Sequence, residues 1–390
     1  MIVYLLLTAF VLVAAYGVRS DRTAAYGPVV SRQYLYNKIA LAAIFLALFL
    51  VSALRINVGN DYATYVEFMH RIASGFTNYV PTEAGFNLLT AVIASLYGGR
   101  YYLIVFAILA AATVFFFLSG IQRLSEDFAL SVALFMLLGY YFQSISTVRY
   151  YLALSIALFL IPYVLQKDRL RFVIPVLLAA CFHKSMLVVL LLYPLARMRW
   201  RKWMYGLFAL LCVSTFFLQE QYLQIVVRLY PSYEDTVYLE GGTSLVSIAR
   251  ALIVLTGAGM VFREKLFACE RGEAEENLET VALRFYYHAN LMALALYVFG
   301  SFLPIISRIA YYLSVTQIVF VPFLLHRLTA QDQEQTKRLR HVATIAVLVA
   351  SALYFAMYMR GAGNDGVRIL PYRTFLFHEM PPIMSEKGVH

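Results

Sequence analysis

The chain has 390 residues, of which 62% are hydrophobic and 14% charged, with mean hydropathy +0.71 and formal net charge +10. Soluble domains carry about 25% charged residues, so a soluble fold is excluded and an all-α, polytopic membrane protein is expected. On such a protein a positive balance reads as topology, because Lys and Arg collect on the cytoplasmic side, and not as a nucleic-acid surface.

Apolar runs fall near 2–18, 39–54, 84–98, 101–120, 128–143, 150–166, 171–197, 203–219, 245–262, 281–300, 305–325 and 342–358. A span needs roughly 20 apolar residues. The expectation is a helical bundle of about twelve spans in one integral domain, 1–390. The first run lacks a basic leader and a small-residue cleavage pattern before Arg19, so it reads as an uncleaved span. Cys181, Cys212 and Cys269 have no metal spacing, and no structural disulfide is expected.

The basic connections are 19–38, 121–127, 167–171, 197–202, 263–280 and 326–341. Placing them in the cytoplasm puts 19 of the 32 Lys and Arg inside and about 11 outside. Loops 55–83 and 219–244 then lie outside, and Tyr222, Ile225, Val226 and Leu229 suggest an amphipathic helix on the membrane surface. Run 171–197 is basic at both ends, so it should double back as two short helices with His183 near the apex. Thirteen residues rise only ~20 Å, short of the ~30 Å hydrocarbon layer. Run 84–98 reads as a short re-entrant or interfacial helix.

Charged residues beside these runs carry the functional reading, because a charge near the bilayer core costs at least ~2.5–3.5 kcal/mol and usually serves a substrate. Gly59-Asn60-Asp61-Tyr62 follows the second run; Asp61 is a helix cap or a general base, and Tyr62 and Tyr65 could stack on sugar faces. Glu83 opens the short helix, as a cap or a second functional carboxylate. Arg149 precedes an apolar span, where it would bind phosphate or pair with a site carboxylate. His183 can exchange a proton near neutral pH. Arg308, ahead of Tyr311 and Tyr312, is a span-end anchor or an anionic head-group ligand, and Arg55 is an alternate phosphate ligand. No nucleotide loop or metal signature is present, so neither a cofactor nor a divalent ion is expected.

The order of these pieces resembles the EpsG family of bacterial exopolysaccharide proteins, relatives of the Wzy-type O-antigen and capsule polymerases. The pattern is Arg55-x-x-x-Gly59-x-Asp61-Tyr62-x-x-Tyr65, then Glu83-x-Gly85-Phe86, then Val148-Arg149. Leu178-Ala179-x-x-Phe182-His183-x-Ser185 follows, then Ser307-Arg308-Ile309-x-x-Tyr312 with Pro322, and Leu370-Pro371-Tyr372. One departure is Tyr150, where the family often has Gln.

The resemblance implies a GT-C-like membrane glycosyltransferase in the bacterial cytoplasmic (inner) membrane. It would move a growing glycan from undecaprenyl pyrophosphate to a hydroxyl of the next lipid-linked repeat unit on the extracytoplasmic face. A chain-length regulator and a flippase are the implied partners. Under that reading Arg149 and Arg308 (or Arg55) meet the pyrophosphate, His183 or Asp61 activates the acceptor, and Glu83, Tyr62, Tyr65 and Tyr312 hold the sugars. The rivals are a flippase of lipid-linked oligosaccharide, which usually has inverted repeats not seen here, an acyltransferase decorating the polymer, and a non-catalytic scaffold.

Overall fold

The computed structural model describes residues 1–19, 32–76, 80–218, 220–222, 224, 245–271, 275–299, 304–328, 334–364 and 367–379. It is 80% helical, and no strand is present among the described residues. The elements in order are α1 (Ile2–Tyr16), α2 (Arg32–Ala53), α3 (Tyr62–Ala73), α4 (Ala84–Tyr97), α5 (Tyr101–Leu124), α6 (Phe128–Leu137), α7 (Tyr140–Ser146), α8 (Val148–Leu165) and α9 (Arg169–Ala180). A 3₁₀ helix (Lys184–Leu191) runs into α10 (Leu192–Leu195). Then come α11 (Lys202–Phe217), α12 (Leu245–Arg271), α13 (Leu278–Phe299), α14 (Pro304–Ser314), α15 (Gln317–Arg327) and α16 (Glu334–Gly361).

Six helices among the described residues are long and apolar enough to cross a membrane, or seven with the bent pair α6–α7 as one span. The sequence pattern suggested about twelve; several of its runs form apolar helices of only 10–17 residues, and one is bent. Gly139, at φ +81°, ends α6 and starts α7 at an angle of 45°. The 15-residue α1 and the 14-residue α4 rise only ~21–23 Å at 1.5 Å per residue. Run 171–197 folds as two short helices, with His183 in the turn between α9 and the 3₁₀ helix. The loop 219–244, where an amphipathic helix was expected, lies almost wholly outside the described residues.

The chain divides into two compact units. The first comprises 1–159, 175–186 and 325–390, and the second 160–174 and 187–324. In the first, α2 packs on α1 and α5, α1 and α16 pack on α6, and α4 packs on α3 and α5. The amphipathic α3 explains part of this. Tyr62, Tyr65, Met69 and Ile72 recur at helical spacing and are buried with Phe86, Phe106, Val148 and Leu152. Phe182, from the histidine turn, packs against the same cluster. In the second unit, α13 packs on α10, α11, α12 and α14. Asn290 there donates to Thr316 Oγ1 (3.2 Å) and accepts from Gln317 Nε2 (2.8 Å). Those bonds satisfy buried polar groups beside the break between α14 and α15.

Candidate active site

The turn after α2 is built by two residues with opposite jobs. Arg55 is 1% exposed and folds back over the end of its own helix. Its Nη1 donates to the Ser52 carbonyl and to Ser52 Oγ (3.0 Å), its Nε donates to the Val58 carbonyl (3.3 Å), and its guanidinium lies 5.1 Å from the Phe106 ring centre. A cation beside a helix's last carbonyls complements the helix dipole. Burial nonetheless pulls the Arg55 pKa below its ordinary value. Backbone bonds from Ile56 N–H to the Arg373 carbonyl (3.0 Å) and from Phe375 N–H to the Leu54 carbonyl (3.3 Å) fasten the C-terminal segment here. Arg55 therefore clamps the fold and does not offer an open phosphate ligand, as the sequence had allowed.

Gly59 answers a different demand. Its φ is +105°, and a Cβ there would stand 2.6 Å from the Ile145 carbonyl oxygen. Only glycine allows both the angle and the approach. The contact presses the turn against the end of α7, where Asn60 N–H donates to Ser146 Oγ (2.9 Å). This brings Asp61 toward the start of α8, two residues beyond Ser146. Asp61 caps α3 by position but makes no side-chain cap hydrogen bond.

Arg149 occupies the first turn of α8, where the helix dipole opposes a cation by ~0.3–1 kcal/mol. Glu83 compensates, since its Oε2 pairs with Arg149 Nη1. The guanidinium lies 5.3 Å from the Tyr65 ring centre and 5.2 Å from that of Phe86. Burial raises the Tyr65 phenol pKa; the Arg149 charge opposes the shift and the Asp61 charge adds to it, so the two charges converge on Tyr65. The pair keeps some access, with the Arg149 and Glu83 side chains 11% and 17% exposed. Arg149 Nε is buried and has no acceptor among the described residues.

The motif Glu83-x-Gly85-Phe86 has a physical reason for each residue. Glu83 Oε1 accepts from Lys184 N–H (3.0 Å), so one carboxylate holds both Arg149 and the histidine turn. Gly85 N–H donates to the Cys181 carbonyl (2.8 Å), and a Cβ at Gly85 would sit 2.8 Å from that oxygen. Phe86 supplies one aromatic face to Arg149. Sequence reading missed Gly85 as a docking point, although its place after Glu83 is the signal for it.

His183 is thereby held beside the pair. Its Nδ1 accepts from Ser185 N–H (3.3 Å) and meets Ser185 Oγ at 2.7 Å. A backbone N–H can only donate, so the neutral ring carries its proton on Nε2. Tyr150 is buried, with its ring 5.6 Å from the imidazole and near perpendicular to it. An aromatic edge thus stands where the family often has Gln.

The structure collects Asp61, Tyr62, Tyr65, Glu83, Arg149 and His183 in the first unit. Arg308 and Tyr312 belong to the second unit, where Arg308 is exposed on α14 and Tyr312 is buried. Among the described residues no group of His, Cys, Asp and Glu is arranged to hold a metal ion.

The helices and this charged cluster define an all-α, multi-pass membrane protein with titratable side chains gathered beside its helix ends. The chain belongs to the EpsG family, whose model matches residues 38–374 and so covers every motif from Arg55 to Tyr372. The family points to a membrane exopolysaccharide polymerase with glycosyltransferase-like activity. No curated protein and no solved structure matches the chain.

Proposed function

We propose that this polymerase extends a glycan carried on undecaprenyl pyrophosphate at the extracytoplasmic face, with Arg149 gripping the pyrophosphate. The observation that carries the reading is the Arg149–Glu83 pair with the histidine turn fastened to the same carboxylate. Glu83 orients the guanidinium fork through one Nη, and the side chain keeps 11% exposure. A fixed, permanently charged, planar donor suits a diphosphate leaving group. Donors of this kind stabilise developing charge by ~2.7–4 kcal/mol each.

In the reaction the acceptor hydroxyl oxygen bonds to the anomeric carbon, and its proton passes to Asp61. The bond from that carbon to the diphosphate oxygen breaks, and the pair of electrons leaves with the diphosphate. Asp61 suits the base better than His183, because the neutral imidazole presents Nε2–H, a donor. His183 then donates toward the leaving oxygens. Tyr62 and Tyr65 are buried against Phe106 and beneath Arg149, so they support the site from below and do not take the sugar-stacking role the sequence suggested. The bond energy is already present in the sugar diphosphate, so the chemistry calls for no nucleotide. The distribution of basic connections, with 19 of 32 Lys and Arg assigned inside, supports the outward face.

Reconstitution in liposomes with labelled lipid-linked repeat units tests this. The expected product is a ladder of longer glycans. Labelled units that cross the bilayer without lengthening would instead identify a transporter.

A further inference from the structure

The first unit carries a second charged feature, at the other end of α2 from Arg55. A cavity of about 470 Å³ is lined by Arg19, Tyr34, Asn37, Lys38, Glu126 and Asp127, among others. α2 has 22 residues, ~33 Å at 1.5 Å per residue, so Lys38 and the Arg55 turn lie nearly a hydrocarbon thickness apart. The positive-inside count assigns this end to the cytoplasm.

The lining balances two cations against two carboxylates, but the carboxylates bond to other groups and not to these cations. Asp127 is spent capping α6, accepting from Leu130 N–H (3.1 Å). Glu126 accepts from Arg327 Nη2 (3.5 Å). Arg19 and Lys38 meet no carboxylate among the described residues. Lys38 instead lies over the Tyr34 ring at 5.4 Å, and Asn37 grips the backbone of Arg19 from both sides (3.2 and 2.7 Å). Arg19 and Lys38 thus share the lining with Glu126 and Asp127, whose oxygens already accept from Arg327 and from Leu130 N–H.

The cavity also continues into an apolar one. A groove of about 480 Å³ shares Val18, Arg19 and Asp127 with it and runs between α1 (Leu12, Tyr16), α6 (Leu130, Ala133) and α16 (Thr344, Leu348). The outer face of α1 beside it exposes Leu6, Phe10 and Val13. A soluble anion would use the charged cavity and leave the groove unfilled. An amphiphile with a negative head and an acyl tail fits both.

We infer that this paired cavity is a binding site for an anionic glycerophospholipid, with its phosphate on Arg19 and Lys38 and one acyl chain along α1. The site is separate from the catalytic cluster and requires nothing of it. Purified protein in detergent is titrated with phosphatidylglycerol, phosphatidylcholine and glycerol 3-phosphate, and bound molecules are counted by native mass spectrometry. Phosphatidylglycerol should bind the wild type at least about tenfold more tightly than phosphatidylcholine, since each surface cation attracts anionic lipid by ~1 kcal/mol. Arg19→Gln with Lys38→Gln should erase that preference, and Ala133→Phe in the groove should weaken phosphatidylglycerol while leaving the headgroup order intact. Equal affinity for the two lipids in the wild type would overturn the proposal. So would glycerol 3-phosphate binding as tightly as the lipid, which would mark a free-phosphate site. The wild-type comparison decides the matter even if a variant does not fold.

Discussion

Two arginines of the first unit, Arg55 and Arg149, both lie over the aromatic cluster that α3, α4 and α5 bury, yet the chain uses them in opposite ways. Arg55 is sealed among the carbonyls of Ser52 and Val58 and touches no carboxylate among the described residues. Arg149 is paired with Glu83 and keeps 11% exposure. A buried cation surrounded by backbone oxygens holds a turn together. A cation oriented by one carboxylate and still partly exposed is the one we propose for an anion.

The sharpest way to separate the two roles is truncation. Arg149→Ala should lower polymerisation by about 10²–10³-fold, the loss seen when one charge-stabilising donor is removed from an active site. Its melting temperature should stay near that of the wild type, because Glu83 can turn to water. A Glu83→Gln variant keeps an acceptor for Lys184 N–H but loses the charge that orients Arg149. Activity should fall by about 10–100-fold through misplacement, and a steady-state assay should place most of the loss in kcat. Gly85→Ala drives a Cβ against the Cys181 carbonyl at 2.8 Å. It should move the histidine turn and cost activity without global unfolding, by about tenfold.

Arg55 should behave in the reverse manner. Arg55→Met leaves two buried carbonyls without their donor and should cost about 2–3 kcal/mol of stability, read as an earlier thermal transition. Activity per folded molecule should change little. A large catalytic defect at unchanged stability would merge the two arginines into one site and break the contrast.

The smallest effect concerns pH. Burial holds the His70 pKa below its ordinary 6.5, while Tyr101 Oη sits 2.9 Å from His70 Nδ1. The unfolded chain therefore binds this proton first. The stability His70 contributes is fully present above pH 6.5 and is lost as the pH falls through its lower folded value. His70→Phe should flatten a shallow decline in melting temperature between pH 7 and 5.

Much of this arrangement was legible in the sequence. Basic residues at both ends of run 171–197 place His183 at an apex, whereas the docking role of Gly85 shows only once the Cys181 carbonyl is seen against it. The sequence could not rank Arg55 against Arg149, because it displays charge and hides what surrounds it. Ser52, Val58 and Phe106 decide the fate of Arg55, and Phe106 comes from a helix fifty residues downstream. The tautomer of His183 was hidden for the same reason, since it depends on how the backbone of Ser185 turns back on the ring. Span lengths were hidden more simply. A hydropathy run does not reveal that a glycine such as Gly139 bends it.

The most direct test of the central claim compares glycan extension by wild type and Arg149→Lys, both verified as folded, on the same lipid-diphosphate-linked units. A lysine keeps the charge but not the planar fork. The account predicts that Arg149→Lys fails almost as completely as Arg149→Ala. Full polymerase activity in the lysine variant would contradict it.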